Sequence, residues 1–383
     1  IMPSFELNSK QQQWQEKAKA FAESEIKPLS WKIDKGLTQE YHWPLIKKMA
    51  EQGLLSLGVP EEYGGSGLDI LTTSLVVEEL AVQDGGIAFT ATCNSFLPLM
   101  IAGTEGQKKD FFPLTCNKEK PGLAALALTE PHAGSDAASL SSSARREGKE
   151  YILNGEKCFI SSGDMASLYT VFASVDRAKG LKGITAFLVP GDVTGLSRGK
   201  IEDKMGFHSS HTGVFAMNEV RIPEKNRLGQ EGEGFIIAMK TLEVLRVISG
   251  GAVGVGIARA AYEATLKFLT TYHNAKAVVN QQAISFELAD MLASIEASRL
   301  MVWKSSWMLD NNLSATTIGS LTKFFVSDTA LEVANKGLQL VGCHAYEEAY
   351  PLEKYVRDAK VIQIYEGTNQ VCRIVASRGI FSV

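Results

Sequence analysis

The sequence is short of the features that mark several common classes of protein. Its five cysteines are scattered and odd in number, and none forms a Cys-x-x-Cys pair, so we expect reduced thiols rather than a disulfide framework. Basic and acidic residues nearly balance at 39 and 43, which leaves no positive field to hold nucleic acid. The most apolar stretch, residues 244–261, is interrupted by Arg246 and Arg259. We therefore expect no membrane span, which needs about 18 apolar residues.

Signals for a metal, a nucleophile and export are also missing. The six histidines are dispersed, and no pair lies on one helix face beside carboxylates, which argues against a metal site. The chain has neither a G-x-S-x-G nucleophile elbow nor a G-x-x-x-x-G-K-[ST] phosphate loop. Its first residues show no basic segment followed by an apolar core, so we expect no secretory signal. The expected location is the cytoplasm, or the mitochondrial matrix if the source is eukaryotic.

The 383 residues change pattern along the chain in a way that predicts three domains. With 45% hydrophobic and 21% charged residues, the composition is that of a folded globular protein. Apolar residues follow helical spacing in residues 1–122 and 235–383, whereas residues 123–234 carry short apolar runs between turn residues. The predicted fold is mostly α with a central β domain. It comprises an N-terminal helical domain, a small antiparallel β-barrel or sandwich, and a C-terminal four-helix bundle.

Three local patterns refine this prediction. Asn154-Gly155 lies between two strand-like runs and predicts the turn of a β-hairpin. Asp310-Asn311-Asn312 predicts the end of a long helix. The glycines of residues 250–256, GGAVGVG, lie inside a helical pattern rather than after a strand. We therefore interpret them as sites of close helix packing and not as a dinucleotide-binding loop.

Two segments of the β domain carry candidate binding groups. The segment ALTEPHAGSDAASL combines Thr129, a carboxylate and Ser135 on a turn. Hydroxyls and free amides there can bind an anion or the polar edge of a ring, or they can form an ordinary solvated turn. The segment NGEKCFISSG puts Phe159 and Ser161 on one face of a strand. Taken alone, this second pattern predicts only a half-buried strand.

A third segment, in the last helical block, carries a candidate general base. Glu366 lies in an apolar run directly before Gly367. Desolvation there would raise the pKa of the carboxyl group and suit it to proton abstraction near neutral pH. The alternative is a carboxylate that only caps a turn or a helix.

The order of these segments resembles the acyl-CoA dehydrogenase flavoprotein family. The motifs L-T-E-P-x-A-G-S-D-A, N-G-x-K-x-F-I and D-A-K-x-x-Q-I-Y-E-G-T-x-Q fall in the family's order, and GVPEEYGGSG, KMGFHSSHTG and VRIPEKNRLGQEGEGF also resemble family segments. The resemblance covers nearly the whole chain. It implies FAD as cofactor and a reaction on an acyl-CoA thioester. A carboxylate removes the α proton while the β hydride passes to flavin N5, and the product is a trans-2-enoyl-CoA.

The resemblance also assigns roles to individual residues. Glu366, in IYEGT, matches the base of short- and medium-chain members. Some relatives place the base directly before an arginine that resembles Arg246, but here that position is Leu245, which cannot act as a base. The residues matched to the FAD site are Leu126, Leu128, Thr129, Ser135, Phe159, Ser161, Gln339, Thr368 and Gln370. The residues matched to the thioester site are Ser135, Glu243, Arg246, Tyr365 and Gly367.

One departure from the family concerns the FAD clamp. Many members carry R-x-x-F-G in the second long helix of the C-terminal block, and its arginine reaches the FAD of a neighbouring subunit. Here the nearest matches are Tyr272, Ala275 and Lys276. Because an arginine paired with a pyrophosphate is a strong charge-assisted contact, its loss predicts weaker FAD binding unless Lys276 or His273 compensates.

The sequence thus leaves two functions open. The first is an FAD-dependent acyl-CoA dehydrogenase, with an electron-transfer flavoprotein as electron acceptor and a dimer or tetramer as assembly. The second is a flavin-poor or non-redox relative that binds acyl thioesters, either as a subunit of a hetero-oligomer or as a lyase on the same scaffold. Glu366 together with Thr129 and Ser135 favours the first function. The altered clamp favours the second.

Overall fold

Helices fill the first and last parts of the chain. The computed structural model describes residues 5–38, 40–94, 96–272, 278–347 and 351–381. The N-terminal helices are Ser9–Phe21 (α1), Lys27–Asp34 (α2), Trp43–Glu51 (α3), Ile70–Gln83 (α4), Gly85–Cys93 (α5), Leu97–Ala102 (α6) and Glu105–Phe111 (α7). The later helices are Gly234–Leu245 (α8), Val253–Tyr272 (α9), Gln282–Asp310 (α10), Thr316–Val341 (α11), Leu352–Ile362 (α12) and Asn369–Phe381 (α13).

The two groups of helices share one hydrophobic core. Leu80 of α4, Ile257 of α9 and Val326 of α11 are fully buried in the same apolar cluster. The long helix α10 ends at Asp310, as predicted, and the Asp310 carboxylate accepts hydrogen bonds from the backbone N–H groups of Ile70 and Leu71 at the start of α4. The predicted boundaries of the three domains stay a prediction.

One eight-stranded sheet lies between these groups in the sequence. Its strands are Ala124–Ala127 (β1), Ser143–Glu147 (β2), Glu150–Ser161 (β3), Leu168–Ser174 (β4), Ile184–Pro190 (β5), Leu196–Ile201 (β6), Thr212–Pro223 (β7) and Arg227–Leu228 (β8). Their order is β6-β7-β3-β2-β4-β5-β8, with β1 paired to β4. Most pairs are antiparallel as predicted, but β1–β4 and β2–β4 are parallel. The long connections that contain other strands allow the chain to return in the same direction.

The prediction of a hairpin turn at Asn154-Gly155 is wrong. Both residues lie inside β3, where the ladder to β7 shifts register between Leu153 and Gly155. Gly155 has a φ of 142°, and a Cβ there would lie 2.3 Å from Ser142 Oγ. The dipeptide therefore forms a β-bulge, and Ser142 packs closely against the backbone of Gly155. The connection between β2 and β3 instead passes through Gly148, whose φ is 63°.

The glycines of GGAVGVG pack closely against neighbouring helices, as predicted. A Cβ at Gly256 would lie 2.5 Å from Ala81 Cβ in α4, and one at Gly254 would lie 2.7 Å from Val326 Cγ1 in α11. The missing side chains let α9 approach both helices. This confirms the packing interpretation of the motif.

Two helical stretches, Gly85–Ala102 and Gly234–Tyr272, are long and apolar enough to cross a membrane by length and composition alone. Within this fold, 71% and 83% of their most apolar windows are buried inside the protein. Burial in the core therefore accounts for their apolar character. The second stretch contains the interrupted run noted in the sequence.

Replacement of Gly155 tests the bulge. Gly155→Ala should lower the thermal midpoint strongly, because its Cβ would overlap both the side chain and the Cα of Ser142, which lies 2.8 Å away. Gly148→Ala is the matched control, since its φ is also positive but no atom lies within 4 Å of the added Cβ. That control should cost only the backbone strain, about 1–2 kcal/mol. Equal losses in the two variants, measured by thermal and urea unfolding, would contradict the assigned contact.

Candidate active site

A cavity of about 1360 Å³ lies where the sheet meets the helices. Most of the residues predicted for the site line it, namely Leu126, Leu128, Thr129, Ser135, Phe159, Ser161, Glu243, Arg246, Tyr365, Glu366, Gly367 and Thr368. Two do not: Gln339 of α11 and Gln370 of α13 are exposed and lie outside the cavity lining. The fold thus brings the three sequence segments to one place.

Glu366 lies in the turn between α12 and α13, with its backbone in the left-handed region at a φ of 56°. Ser249 Oγ donates a hydrogen bond to Glu366 Oε1, whereas Oε2 is buried without a hydrogen-bond partner among the described residues. Burial raises the pKa of Glu366 to about 7, and the Ser249 hydrogen bond and the charges of Lys323 and Arg246 limit the rise. A carboxylate that titrates near neutral pH is suited to general base catalysis.

Arg246 is buried behind this turn. It begins a π-helical segment, Arg246–Ala252, that joins α8 to α9; such segments often occur at functional sites. Arg246 Nε donates to Glu366 O at 3.1 Å, and Nη1 donates to Ser320 Oγ at 3.2 Å. The side chain that the family resemblance matched to the thioester site is therefore hydrogen-bonded to the backbone of the candidate base.

Glu243 is held at the start of α11. Its Oε1 accepts hydrogen bonds from Ala315 N at 2.7 Å and from Thr316 Oγ1 at 2.9 Å. A carboxylate is favourable at a helix N-terminus because the helix dipole places partial positive charge there. Glu243 thus lines the cavity with one carboxylate oxygen already engaged.

A buried ion pair fixes the loop that follows β1. Lys157 has no exposed surface, and its Nζ donates to Leu128 O at 3.1 Å, Phe172 O at 2.8 Å and Glu130 Oε1 at 2.7 Å. Burial would raise the pKa of Glu130, but the charge of Lys157 and neighbouring hydroxyls hold it at about 2. Sequence reasoning missed both residues. The available signal was the lysine of the N-G-x-K-x-F-I motif, which lies inside a strand predicted to be half-buried.

The exposed side chain of Phe159 forms part of the cavity wall. The ladder shifts register between Lys157 and Ile160, and Phe159 within this irregularity has a φ of 53° and is 64% exposed. Ser161 lies beside it in the lining. Thr170 Oγ1, also in the lining, is buried without a partner among the residues that the structure describes. The wall offers an aromatic face next to hydroxyl groups.

Aromatic rings bound the cavity next to Glu366. The ring centroids of Phe89 and Tyr365 are 4.8 Å apart, and those of Phe89 and Phe207 are 5.8 Å apart. Tyr365 Oη donates to Ser249 O at 3.0 Å. These rings exclude water from the Glu366 carboxylate and offer an apolar surface to a hydrocarbon chain.

Only part of the altered FAD clamp lies within the described residues. Tyr272 ends α9, is 56% exposed, and stacks on Phe268 at 4.7 Å and on His344 at 5.6 Å between ring centroids. An aromatic cluster therefore occupies the position where the family pattern has arginine. The other residues of that prediction lie outside the described part of the chain: His273, Ala275 and Lys276.

Models of known protein families match nearly the whole of this chain. Models of the acyl-CoA dehydrogenase N-terminal, middle and C-terminal domains match residues 8–119, 125–220 and 232–381. The chain belongs to the acyl-CoA dehydrogenase family. This confirms the resemblance drawn from the order of the sequence motifs.

Individual relatives match over nearly their whole length. The mitochondrial short-chain specific acyl-CoA dehydrogenase of Rattus norvegicus is 37% identical over 381 residues, which cover 98% of this chain and 91% of the relative. The structure of butyryl-CoA dehydrogenase from Megasphaera elsdenii has a TM-score of 0.93 and 38% identity, covering 99% of this chain and 100% of the other. A chain in a structure described as electron transferring flavoprotein of Acidaminococcus fermentans has a TM-score of 0.94, 39% identity and full coverage of both chains.

Members of this family are FAD-dependent flavoproteins, and FAD is the cofactor of this chain. The residues of the cavity fit that group. The exposed Phe159 ring offers a face to a planar ring system, and Thr170 Oγ1 is a buried hydroxyl with a hydrogen bond still to make. The loop with Thr129 and Ser135 lines the same wall.

Loss of the buried ammonium should weaken the binding of FAD. Lys157→Met removes the donor to Leu128 O and leaves the Glu130 carboxylate buried without its counter-ion, a change that costs about 3–5 kcal/mol in stability. We expect the dissociation constant of FAD to rise by roughly tenfold or more, because the loop loses its anchor. Quenching of flavin fluorescence measures this constant.

The double variant Glu130→Gln/Lys157→Met is the control. It removes both charges, so the thermal midpoint should recover while FAD affinity stays low. If Lys157→Met binds FAD as tightly as the unmodified protein, the ion pair does not position this loop.

Proposed function

We propose that this chain oxidises an acyl-CoA to the trans-2-enoyl-CoA with FAD as cofactor and Glu366 as the base. The observation that carries the proposal is the buried carboxyl group of Glu366, which titrates near neutral pH and keeps Oε2 unpaired among the described residues. It lines the same cavity as the exposed Phe159 ring. Family membership supports the same reaction.

In the proposed reaction, Glu366 removes the proton from the α carbon of the thioester. The Glu366 carboxylate receives the proton, and the hydrogen bond from Ser249 Oγ to Oε1 helps to hold its side chain. The Glu366 N–H donates to the thioester oxygen and stabilises negative charge that develops there. Bound FAD would supply the redox chemistry, which is acceptance of the hydride from the β carbon. The aromatic wall of Phe89 and Tyr365 excludes water and holds the acyl chain.

We assign the remaining site residues as follows. The proposed FAD-binding residues on this subunit are Leu126, Leu128, Thr129, Ser135, Phe159, Ser161, Thr368 and Gln370, and Gln339 is proposed to face the FAD of a second subunit. The proposed substrate-binding residues are Ser135, Glu243, Arg246, Tyr365 and Gly367. For Glu243 and Arg246 the hydrogen bonds within the protein favour an indirect effect on the substrate through the α11 terminus and the Glu366 turn.

The proposal extends to partners. A homo-oligomer, dimer or tetramer, fits the family resemblance, as does an electron-transfer flavoprotein as acceptor of the electrons from FAD. The similarity to a chain from the Acidaminococcus fermentans structure supports this acceptor. Relatives from Rattus norvegicus mitochondria and from Bacillus subtilis support the mitochondrial matrix or the cytoplasm as compartment.

Replacement of the base tests the proposal. Glu366→Gln preserves the size of the side chain but removes its capacity to accept a proton. With butyryl-CoA under anaerobic conditions, we expect the variant to bleach the visible flavin band slower than the unmodified protein by at least roughly 10²-fold, with FAD still bound. Stopped-flow absorbance measures the rate.

Glu263→Gln is the matched control, because the Glu263 side chain is 53% exposed and lies outside the cavity lining. It should bleach at the rate of the unmodified protein. Equal rates for Glu366→Gln and the unmodified protein would reject Glu366 as the base. An unmodified protein that binds acyl-CoA without any bleaching would favour the flavin-poor or non-redox alternative.

A further inference from the structure

Lys323 is a fully buried lysine directly behind the Glu366 turn. It lies in α11 with no exposed surface. Its Nζ donates to Gly367 O at 2.8 Å and to Asn369 Oδ1 at 3.0 Å. Asn369 is in turn held by Ser327 Oγ, which donates to Oδ1 at 3.1 Å. Both of these hydrogen bonds of the ammonium group therefore end on the segment that carries the candidate base.

The backbone of that segment adopts an unfavourable, left-handed conformation. Glu366 and Gly367 have φ values of 56° and 90°, and a left-handed conformation costs a residue other than glycine about 1–2 kcal/mol. Two cations bind the consecutive carbonyl groups of this turn: Arg246 Nε lies 3.1 Å from Glu366 O, and Lys323 Nζ lies 2.8 Å from Gly367 O. Charge-assisted hydrogen bonds of this kind are strong enough to hold such a turn.

Lys323 also approaches the Glu366 carboxylate itself. A Cβ at Gly250 would lie 2.7 Å from Lys323 Cγ and 3.7 Å from Glu366 Oε2, so the two side chains meet over the bare backbone of Gly250. The absence of a side chain at this position makes room for the lysine. The ammonium charge of Lys323 acts on the carboxylate without a direct ion pair and lowers the pKa of Glu366 against the effect of burial.

We propose that Lys323 is a positioning residue for the base. It holds the Glu366–Gly367 turn in its left-handed conformation, and its charge keeps the buried carboxylate available for proton abstraction. This inference rests on the proposed function, because it concerns how Glu366 performs its role. It adds a residue that neither the sequence motifs nor the family resemblance singled out.

The electrostatic surroundings of Glu366 support this role. Burial lowers the pKa of Lys323 to about 8, so the ammonium form prevails at neutral pH. Burial raises the pKa of Cys93, Tyr365 and Cys372, and these groups are therefore uncharged. Titratable and polar groups surround Glu366 and Lys323 from each packed element: Cys93 of α5, Arg246 and Ser249 of the π-helical segment, Lys323 and Asp328 of α11, Tyr365 of the turn, and Cys372 of α13. Among them, Arg246 and Lys323 carry the positive charge.

The test compares Lys323→Met with Lys336→Met, a matched control on the same helix. Lys336 is partly exposed and pairs with Glu287 and Glu332. The readout is the pH dependence of flavin bleaching by butyryl-CoA in the FAD-loaded proteins. For Lys323→Met we expect the acid limb of the profile to move up by about one pH unit, since a nearby opposite charge lowers a carboxyl pKa by about 1–3 units. The rate below the limb should fall roughly tenfold, with little change in KM.

A merely structural role would lower the thermal midpoint and leave the acid limb in place. Lys323→Arg keeps the charge, so its acid limb should match that of the unmodified protein. If Lys323→Met fails to retain FAD, Lys323→Gln takes its place, because it keeps an amide donor and removes the charge. An unchanged acid limb in the uncharged variant overturns the inference. Bleaching by the unmodified protein in that experiment would show that the proposed function survives, whereas an unmodified, FAD-loaded protein that does not bleach would reject the function itself.

Discussion

The site depends on keeping one carboxylate buried in a strained turn. The Glu366 carboxylate must be desolvated for its pKa to rise to near neutral. A buried charge and a left-handed backbone are both unfavourable, however. Hydrogen bonds from Arg246 to Glu366 O and from Lys323 to Gly367 O oppose the strain, and their charges oppose the desolvation. The π-helical segment carries Arg246, and its Gly250 makes room for Lys323 behind the turn.

The part of the cavity wall proposed to bind the flavin depends on a second buried charged group, the ion pair of Lys157 and Glu130. Lys157 and Glu130 hold the loop after β1 against the strands, and that loop and the Phe159 bulge line the same cavity as the turn of the base. A buried network ties the helices to the segment before β7. In it, Lys354 Nζ lies 3.2 Å from Asp84 Oδ2, and Phe207 N donates to Asp358 Oδ1 at 2.7 Å. The base and the flavin wall are thus aligned by contacts between distant segments.

Local patterns predicted the elements, and the family resemblance predicted the residues that meet in the cavity. Helix spacing and the Asp310-Asn311-Asn312 break depend on neighbouring residues, so the sequence alone revealed them. The bulge at Gly155 depends on the approach of Ser142, which directly precedes β2, and a turn pattern could not distinguish this from a hairpin. Arg246 binds a carbonyl group 120 residues away in the chain, which no spacing rule predicts. The ion pair of Lys157 was missed for the same reason.

The pH dependence of unfolding tests most directly whether Glu366 is a buried carboxyl group with a raised pKa. Urea unfolding of the unmodified protein and of Glu366→Gln, both with saturating FAD, gives the difference in their free energies of unfolding from about pH 5 to about pH 8. Because the folded protein holds the Glu366 proton up to about pH 7 and the unfolded chain releases it near pH 4.5, the unmodified protein should lose stability relative to the variant as the pH rises. The expected loss is about 2 kcal/mol, and it should level off above pH 7. A difference that is independent of pH, or that favours the unmodified protein as the pH rises, would contradict a desolvated base at this position.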